Sequence, residues 1–441
     1  MRWRAWIFLA VCPALSTAPG CNAIWGISEG KSVGDPLAAG AGGGGAGGAG
    51  SAGSGGAGGA EASGGAGGSG GSGGSGGAGG APSACQIEPF TGRAPGACQA
   101  ADGDHDYLSD PENCCVRGRS CLGGTCEEGR CTPVVLTTAS EGHQARGIAV
   151  DRDGDAARVL WASGTGDTVF ATENTPAGAT DPLVELHVRL SMLTRAGSSL
   201  FITDWGSSDL LRMPLQGNIT VATVATAEGE GRFWQPVVGN GWVYWITGVP
   251  QQPDQDPDAP DTPRQIWAAR AELSDQTGLP VLDSDTYVGG LAQDATHLYW
   301  TAMDLGGTQV SVQRMALGEP SEPETVATIR SEPGERPGDI EVGERIYWIT
   351  GGNIHAVDKD GSGPGVLAAA DYPRLLLADS TFVYWYTPGA RQLRRVRTSG
   401  GATETLAESP YIVGLAQDCR AIYWTTSGSE ESPSEVLKLA K

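Results

Sequence analysis

Val288-Gly289-Gly290-Leu291-Ala292-Gln293-Asp294-Ala295-Thr296-His297-Leu298-Tyr299-Trp300-Thr301 decides the fold. Residues 288–292 are a short apolar run, 293–296 a turn, and 297–301 a β-branched and aromatic run. Further on, 303–308 is a Gly-containing loop, 309–315 alternates, 318–323 is a turn and 324–329 is a last short run. That is a unit of four strands, A to D, divided by turn residues. The aromatic phrase of strand B recurs as Leu160-Trp161, Phe201-Ile202-Thr203-Asp204, Tyr244-Trp245, Ile346-Tyr347-Trp348, Val383-Tyr384-Trp385 and Ile422-Tyr423-Trp424-Thr425. Including the copy at 298–301, the seven are spaced 41, 43, 55, 48, 37 and 39 residues apart. A period near that length, built from short strands, specifies a β-propeller. The Tyr and Trp of each phrase point to opposite faces of their blade. Both faces are covered by neighbouring blades, so the aromatics are expected in the core and not on a ligand platform.

The seventh copy supplies strands A to C only, the last over 435–439. Val134-Val135-Leu136-Thr137-Thr138, just before the first copy, has the character of strand D and resembles Thr325-Val326-Ala327-Thr328. It is expected to pair with 435–439 and close the ring, removing two open sheet edges. The fold class expected is all-β: a seven-bladed β-propeller over 134–441, with six blades as the alternative count. A disulfide-rich module (85–131) and a disordered Gly/Ala/Ser linker precede it.

The repeated phrase resembles the YWTD family of propellers, and Phe201-Ile202-Thr203-Asp204-Trp205-Gly206 matches it best. That family has six blades, and its aspartate stands here only at Asp204; Ser163, Ala302 and Thr426 replace it elsewhere. More broadly, 134–441 is similar to the propeller-bearing lipoproteins of myxobacterial type, with Gly147-Ile148-Ala149-Val150-Asp151 as a characteristic copy. The resemblance implies an extracytoplasmic binding protein and carries over no catalytic residue.

Met1-Arg2-Trp3-Arg4 followed by the apolar stretch 5–15 reads as an export signal over 1–20, too short to span a membrane. Cys21 follows Gly20 in a sequence resembling a lipobox, so Cys21 is the expected lipidation site at the head of segment 21–84. Cleavage near Ala18 or Ala23 is the alternative and would give a secreted protein. Asn22 in place of an aspartate favours the outer membrane. Residues 38–83 are almost wholly Gly, Ala and Ser, a tether with an average span of roughly 37 Å. Gly70-Gly71-Ser72-Gly73-Gly74 fits a hydrolase elbow pattern only through this composition, since no strand or helix flanks it.

Seven cysteines, Cys85, Cys98, Cys114, Cys115, Cys121, Cys126 and Cys131, crowd a segment too small to fold on apolar burial alone. Disulfides are expected, with connectivity open. The eighth, Cys419, falls in the A–B turn of the seventh copy. The closing strand begins three residues after Cys131, a reach of about 10 Å. A bond from Cys419 to Cys131 or a close neighbour is therefore expected, with an exposed free thiol as the alternative.

Chemistry-bearing motifs are sparse, and no catalytic residue and no cofactor is assigned. Asp102, Asp104 and Asp106 alternate like calcium ligands, but Tyr107 and Asn113 stand where such a loop needs Gly and Glu. A solvated acidic turn is the preferred reading, and no metal site is assigned. His105, His143, His187, His297 and His355 fall in different repeats, so no histidine pair has metal-ligand spacing. Propellers bind ligands mostly where D–A and B–C loops surround the channel mouth. Those loops hold His143, Arg146, Phe233, Trp234, Tyr287, Arg336, Tyr372, Arg374 and Tyr411, types that dominate binding hot spots. The B–C loop of the third copy, 248–264, carries Asp254, Asp256, Asp258 and Asp261 among five prolines. The net charge of −22, from 51 acids against 29 bases, excludes a nucleic-acid partner by charge and leaves the lipid anchor as the only membrane contact. The functional expectation is capture of an unknown protein or glycan partner. An extracytoplasmic enzyme, a lyase or hydrolase, and a spacer that binds nothing are the alternatives.

Overall fold

A computed structural model describes residues 98, 106–140, 143–151, 158–164, 167–186, 188, 190–204, 209–226, 232–233, 236–248, 265–282, 286–304, 306–332, 335–428 and 432–441. Among these there is no helix. Seven sheets form, one for each aromatic phrase. Blade four is the pattern: Tyr287–Gln293, His297–Met303, Gln309–Ala316 and Glu324–Arg330 pair as an antiparallel meander. Blades one, five and six repeat it from Ala145–Asp151, Pro337–Val342 and Arg374–Ala378. Blade two repeats it from Leu190–Ala196 and gains the short strand Gln276–Thr277 on its outer edge. Blade three is irregular, with an inner strand in two pieces, Arg232–Phe233 and Val237–Gly239. Blade seven takes Ile412–Gln417, Ala421–Thr426 and Glu435–Ala440 from the end of the chain, and its outer strand is Val134–Thr138. That strand runs antiparallel to Glu435–Ala440, with Val134 opposite Lys438 and Thr138 opposite Glu435. The closure expected from sequence is therefore present, and seven is the blade count.

The core consists of seven apolar clusters, one at each blade boundary. Each contains the first aromatic position of one strand B and the second position of the next. The pairs are Leu160 with Ile202, Phe201 with Trp245, Tyr244 with Trp300, Tyr299 with Trp348, Tyr347 with Trp385, Tyr384 with Trp424, and Tyr423 with Trp161. The last pair joins blade seven to blade one. Trp161, Trp245, Trp300, Trp348, Trp385 and Trp424 are all fully buried, which is why a two-residue phrase suffices as the repeat's anchor. Removing such a side chain from a core costs about 3–5 kcal/mol.

Polar links cross the same boundaries. Asp294 ends the inner strand of blade four. One carboxylate oxygen accepts from the amides of Thr296 and His297, and the other from the Tyr299 hydroxyl (3.0 Å) and from Lys359 of blade five (2.9 Å). Asp379 does the same with Thr381, Phe382, Tyr384 and Lys441 of blade seven. Asp418 accepts from Arg420, Ala421 and Tyr423. The preceding glutamine links backwards: Gln293 donates to the Val238 carbonyl and Gln417 to the Ala378 carbonyl. The recurring Leu-Ala-Gln-Asp is thus a two-way staple between blades. Blade five has a shorter hairpin with Gly343 at the Asp position, and there the Tyr347 hydroxyl is buried without a partner.

The cysteine module is bridged Cys98–Cys115, Cys114–Cys126 and Cys121–Cys131, with Cα separations of 4.4, 5.6 and 5.1 Å. Cys114, Cys121 and Cys131 have sulfurs within 4.8 Å of one another, but all three are oxidised and offer no thiolate to a metal. Four module cysteines pack into the cluster between blades six and seven, and the Arg119 guanidinium donates to the Lys441 carbonyl (3.3 Å). Cys419 is disulfide-bonded, as expected, but not to Cys131. Cys131 faces Cys126 across the hairpin of Cys126–Glu127 and Arg130–Cys131, which turns its sulfur inward to Cys121. The partner of Cys419 lies outside the described residues. So do the signal, Cys21, the tether, Cys85, Asp102 and Asp104. Asp106 serves a turn, accepting from the Leu108 amide and the Ser109 hydroxyl.

Candidate functional site

Six inner strands share a bulge opposite strand B, between Ala145 and Ile148, Leu190 and Leu193, Val288 and Leu291, Pro337 and Ile340, Arg374 and Leu377, and Ile412 and Gly414. A bulge bends its strand and leaves backbone out of the ladder, here around the propeller axis. Neighbouring inner strands approach so closely that a Cβ on Gly414 would lie 2.4 Å from the Arg146 carbonyl oxygen. The strand B threonines bridge the gap: Thr301 donates to the Gly338 carbonyl (3.1 Å) and Thr425 to that of Arg146. What remains on the axis is a cavity of about 80 Å³ with a largely apolar wall that includes Ile148, Leu193, Leu291 and Leu377.

Two carboxylates interrupt that wall, Asp339 and Glu341, both on the inner strand of blade five. Asp339 accepts a long bond from the Leu376 amide (3.4 Å). Glu341 is 3 % exposed. Burial, with the Asp339 charge beside it, pushes that carboxyl well above the usual carboxylate range. Glu341 lies opposite Tyr347 in the ladder. The residues at the same register in the other blades are Ala149, Thr194, Val237, Ala292, Leu377 and Ala416. None of them is ionisable. Sequence reading passed over Glu341; aligning the inner strands on their bulges would have revealed it.

Of the nine loop residues singled out from sequence, those described take varied places, and none of these lines the cavity. His143 Nδ1 lies 2.9 Å from the Ser163 hydroxyl, with its ring edge-on to Phe170. Arg146 lies in the blade-one bulge with its side chain across Gly164. Tyr287 is buried, and Arg336 lies over its ring at 6.0 Å. Arg374 is exposed at the start of its strand. Tyr372 and Tyr411 are 75 % and 52 % exposed, on successive D–A loops. Both hold left-handed backbone, with φ of 47° and 43°. Bulky residues rarely adopt that conformation, and where they do it clusters at functional positions. Arg391 lies over the Tyr411 ring at 5.1 Å. The Phe233 side chain, Trp234 and residues 249–264 lie outside the described residues. A separate cleft of about 400 Å³ between the module and blade six is lined by Arg119, Arg130, Arg395 and Arg397 with Glu128 and Glu404; Arg395 pairs with Glu404 at 2.8 Å.

No protein-family model and no curated protein matches the sequence. Solved structures do match. A virginiamycin B lyase from Staphylococcus aureus is 12% identical, with a TM-score of 0.51, covering 70% of this chain and 99% of that one. A streptogramin B lyase is 12% identical, with a TM-score of 0.49 and coverage of 70% and 97%. The WD40 propeller domain of Doa1 is 11% identical, with a TM-score of 0.48 and coverage of 69% and 96%. At these identities the likeness is one of fold: the chain is a β-propeller.

Proposed function

We propose that this propeller binds a protein or glycan partner through its D–A and B–C loop face, held at the cell surface by a lipid on Cys21, as in the lipoproteins its repeats resemble. The observation that carries the reading is the pair Tyr372 and Tyr411. Two large aromatic rings stand in solvent on neighbouring loops, on backbone that an aromatic residue does not choose for itself. Arg391 against Tyr411, with Arg374 exposed nearby in sequence, adds the other side chain enriched at binding hot spots. Neither tyrosine contributes to the core, so selection for stability does not account for them.

The test uses the purified full chain and its Tyr372→Ala/Tyr411→Ala variant on a glycan array and on detergent-solubilised envelope from the native cell. The reading expects equal melting temperatures and loss of a saturable ligand only in the variant. Equal capture by both chains, or none by the parent, contradicts it. Intact mass of the N-terminal peptide tests the anchor, since a triacylated Cys21 differs from a free one by several hundred daltons.

A further inference from the structure

Blade six departs from the other blades on the strand that faces the cysteine module. Its third strand, Gln392–Arg397, puts Arg395 opposite Tyr384 and Arg397 opposite Phe382. Two residues apart, both side chains leave the same side of the strand, and their guanidiniums lie over the Phe382 ring at 4.1 and 5.3 Å. At those two registers each of the other six blades places at most one base. The doubled arginine is therefore no requirement of the repeat. It occurs in the blade against which the module sits, and the module meets it with Arg119 and Arg130 across the cleft of about 400 Å³. Among the described residues lining that cleft, four arginines stand against two carboxylates, Glu128 and Glu404, in a chain whose acids outnumber its bases 51 to 29. Glu404 pairs with Arg395 at 2.8 Å. Burial, and then the Arg395 charge, hold the Arg119 guanidinium below its usual range against the opposing pull of Glu404.

We propose that this cleft binds a small anion through a carboxylate or phosphate group. The planar arginine fork presents paired N–H donors that match either group, and charge-assisted bonds of this kind are the strong ones. A volume of about 400 Å³ falls within the roughly 300–1,000 Å³ of small-molecule sites. On the blade side the cleft is bordered by the turn Gly400-Gly401, with φ of 84° and 118°. A Cβ on Gly401 would meet nothing within 4 Å, so the turn leaves bare backbone that a ligand can approach closely. Like charges crowded into a partly buried site are costly unless an anion is shared among them. Ties between module and propeller need one acid for each base, and the cleft holds twice as many bases as acids among its described residues. Neither Tyr372 nor Tyr411 lines this cleft, which is a site distinct from the loop face.

The test is calorimetric titration of the purified full chain, in low-salt buffer free of phosphate and carboxylate, with inorganic phosphate, with glucuronate and with neutral glucose. The parent is expected to bind one equivalent of phosphate or glucuronate saturably, more weakly as chloride is raised, and not to bind glucose. Which of the two probes binds tells phosphate from carboxylate recognition. The Arg130→Gln/Arg397→Gln variant is expected to weaken that binding by at least about tenfold, the loss of one charge-assisted bond or more. Arg130→Gln alone, at an exposed position of its strand, serves should the double variant fold poorly, with a loss in the same direction. Tyr372→Ala/Tyr411→Ala is expected to bind the probe as the parent does. Absence of saturable binding to the parent overturns the proposal. So does a probe bound equally well by the arginine variants, which would leave the arginines as ties between module and propeller.

Discussion

Asp379→Ala removes one side chain that four donors share. Tyr384 is fully buried, and its hydroxyl gives its hydrogen bond to Asp379 at 2.9 Å. Leaving that hydroxyl without an acceptor costs about 1–3 kcal/mol. The Thr381 and Phe382 amides, both at 2.8 Å, lose the acceptor that fixes the A–B turn, about 1 kcal/mol net. Lys441 loses a partner at 2.9 Å from a pair whose side chains are only 13% and 19% exposed, but keeps Gln417. The sum is about 2–4 kcal/mol, or a fall in melting temperature of roughly 4–8 °C at about 2 °C per kcal/mol for a domain of this size. Tyr384→Phe removes only the hydroxyl and is expected to cost about 1 kcal/mol. A double-mutant cycle on reversible urea unfolding isolates the pair, with an expected coupling of about 1–2 kcal/mol. If Asp379→Ala stays within about 0.5 kcal/mol of the parent, as an ordinary surface change would, or if the cycle shows no coupling, the blade staple has no energetic meaning.

Acid should act on the same staples. Burial alone would raise the Asp294 and Asp379 carboxyls, but Lys359, Lys441 and the turn amides outweigh it and hold both below the usual range. Stability from a lowered carboxyl is complete above its unfolded pKa, near 4, and drains as pH falls through the folded value. Replacing both with Asn should therefore flatten the fall in stability below about pH 4, as read by melting temperature against pH. Gly414→Ala places a methyl 2.4 Å from the Arg146 carbonyl oxygen and should cost about 1–3 kcal/mol, whereas Gly365→Ala meets nothing within 4 Å and should be nearly neutral by urea midpoint. Cys419→Ser should destabilise the chain by about 2–5 kcal/mol. Non-reducing peptide maps of the parent should join Cys419 to a cysteine preceding Cys98, and a link to Cys131 would contradict the pairing described above.

The architecture was readable because its anchors are local. Tyr299 and Trp300 sit side by side, and alternation along a strand sends them to opposite boundaries wherever the blade stands. Val134–Thr138 could be assigned to blade seven because it matched outer strands and blade seven lacked one. Links between distant segments were not readable. Asp294 looked like an ordinary turn residue; its bond to Lys359 exists only once blade five packs beside blade four. Cys131 lies close in sequence to the closing strand, yet its own hairpin commits it to Cys121. Of the loop residues, Tyr287 turned out buried and Tyr372 exposed, although both looked alike as aromatics near the start of an inner strand. Glu341 was hidden because the A–B hairpin of blade five is one residue shorter than that of blade four, so counting back from the Tyr-Trp phrase misses its register.

Hydrogen exchange at the closing strand tests the ring itself. Among the described residues, Val134–Thr138 has Glu435–Ala440 as its ladder partner and no other. In a closed wheel, the amides of 134–138 that bond to 435–440 are protected and open together with that strand. Exchange of 134–138 within seconds while 421–426 stays protected would mean that the ends of the propeller never meet.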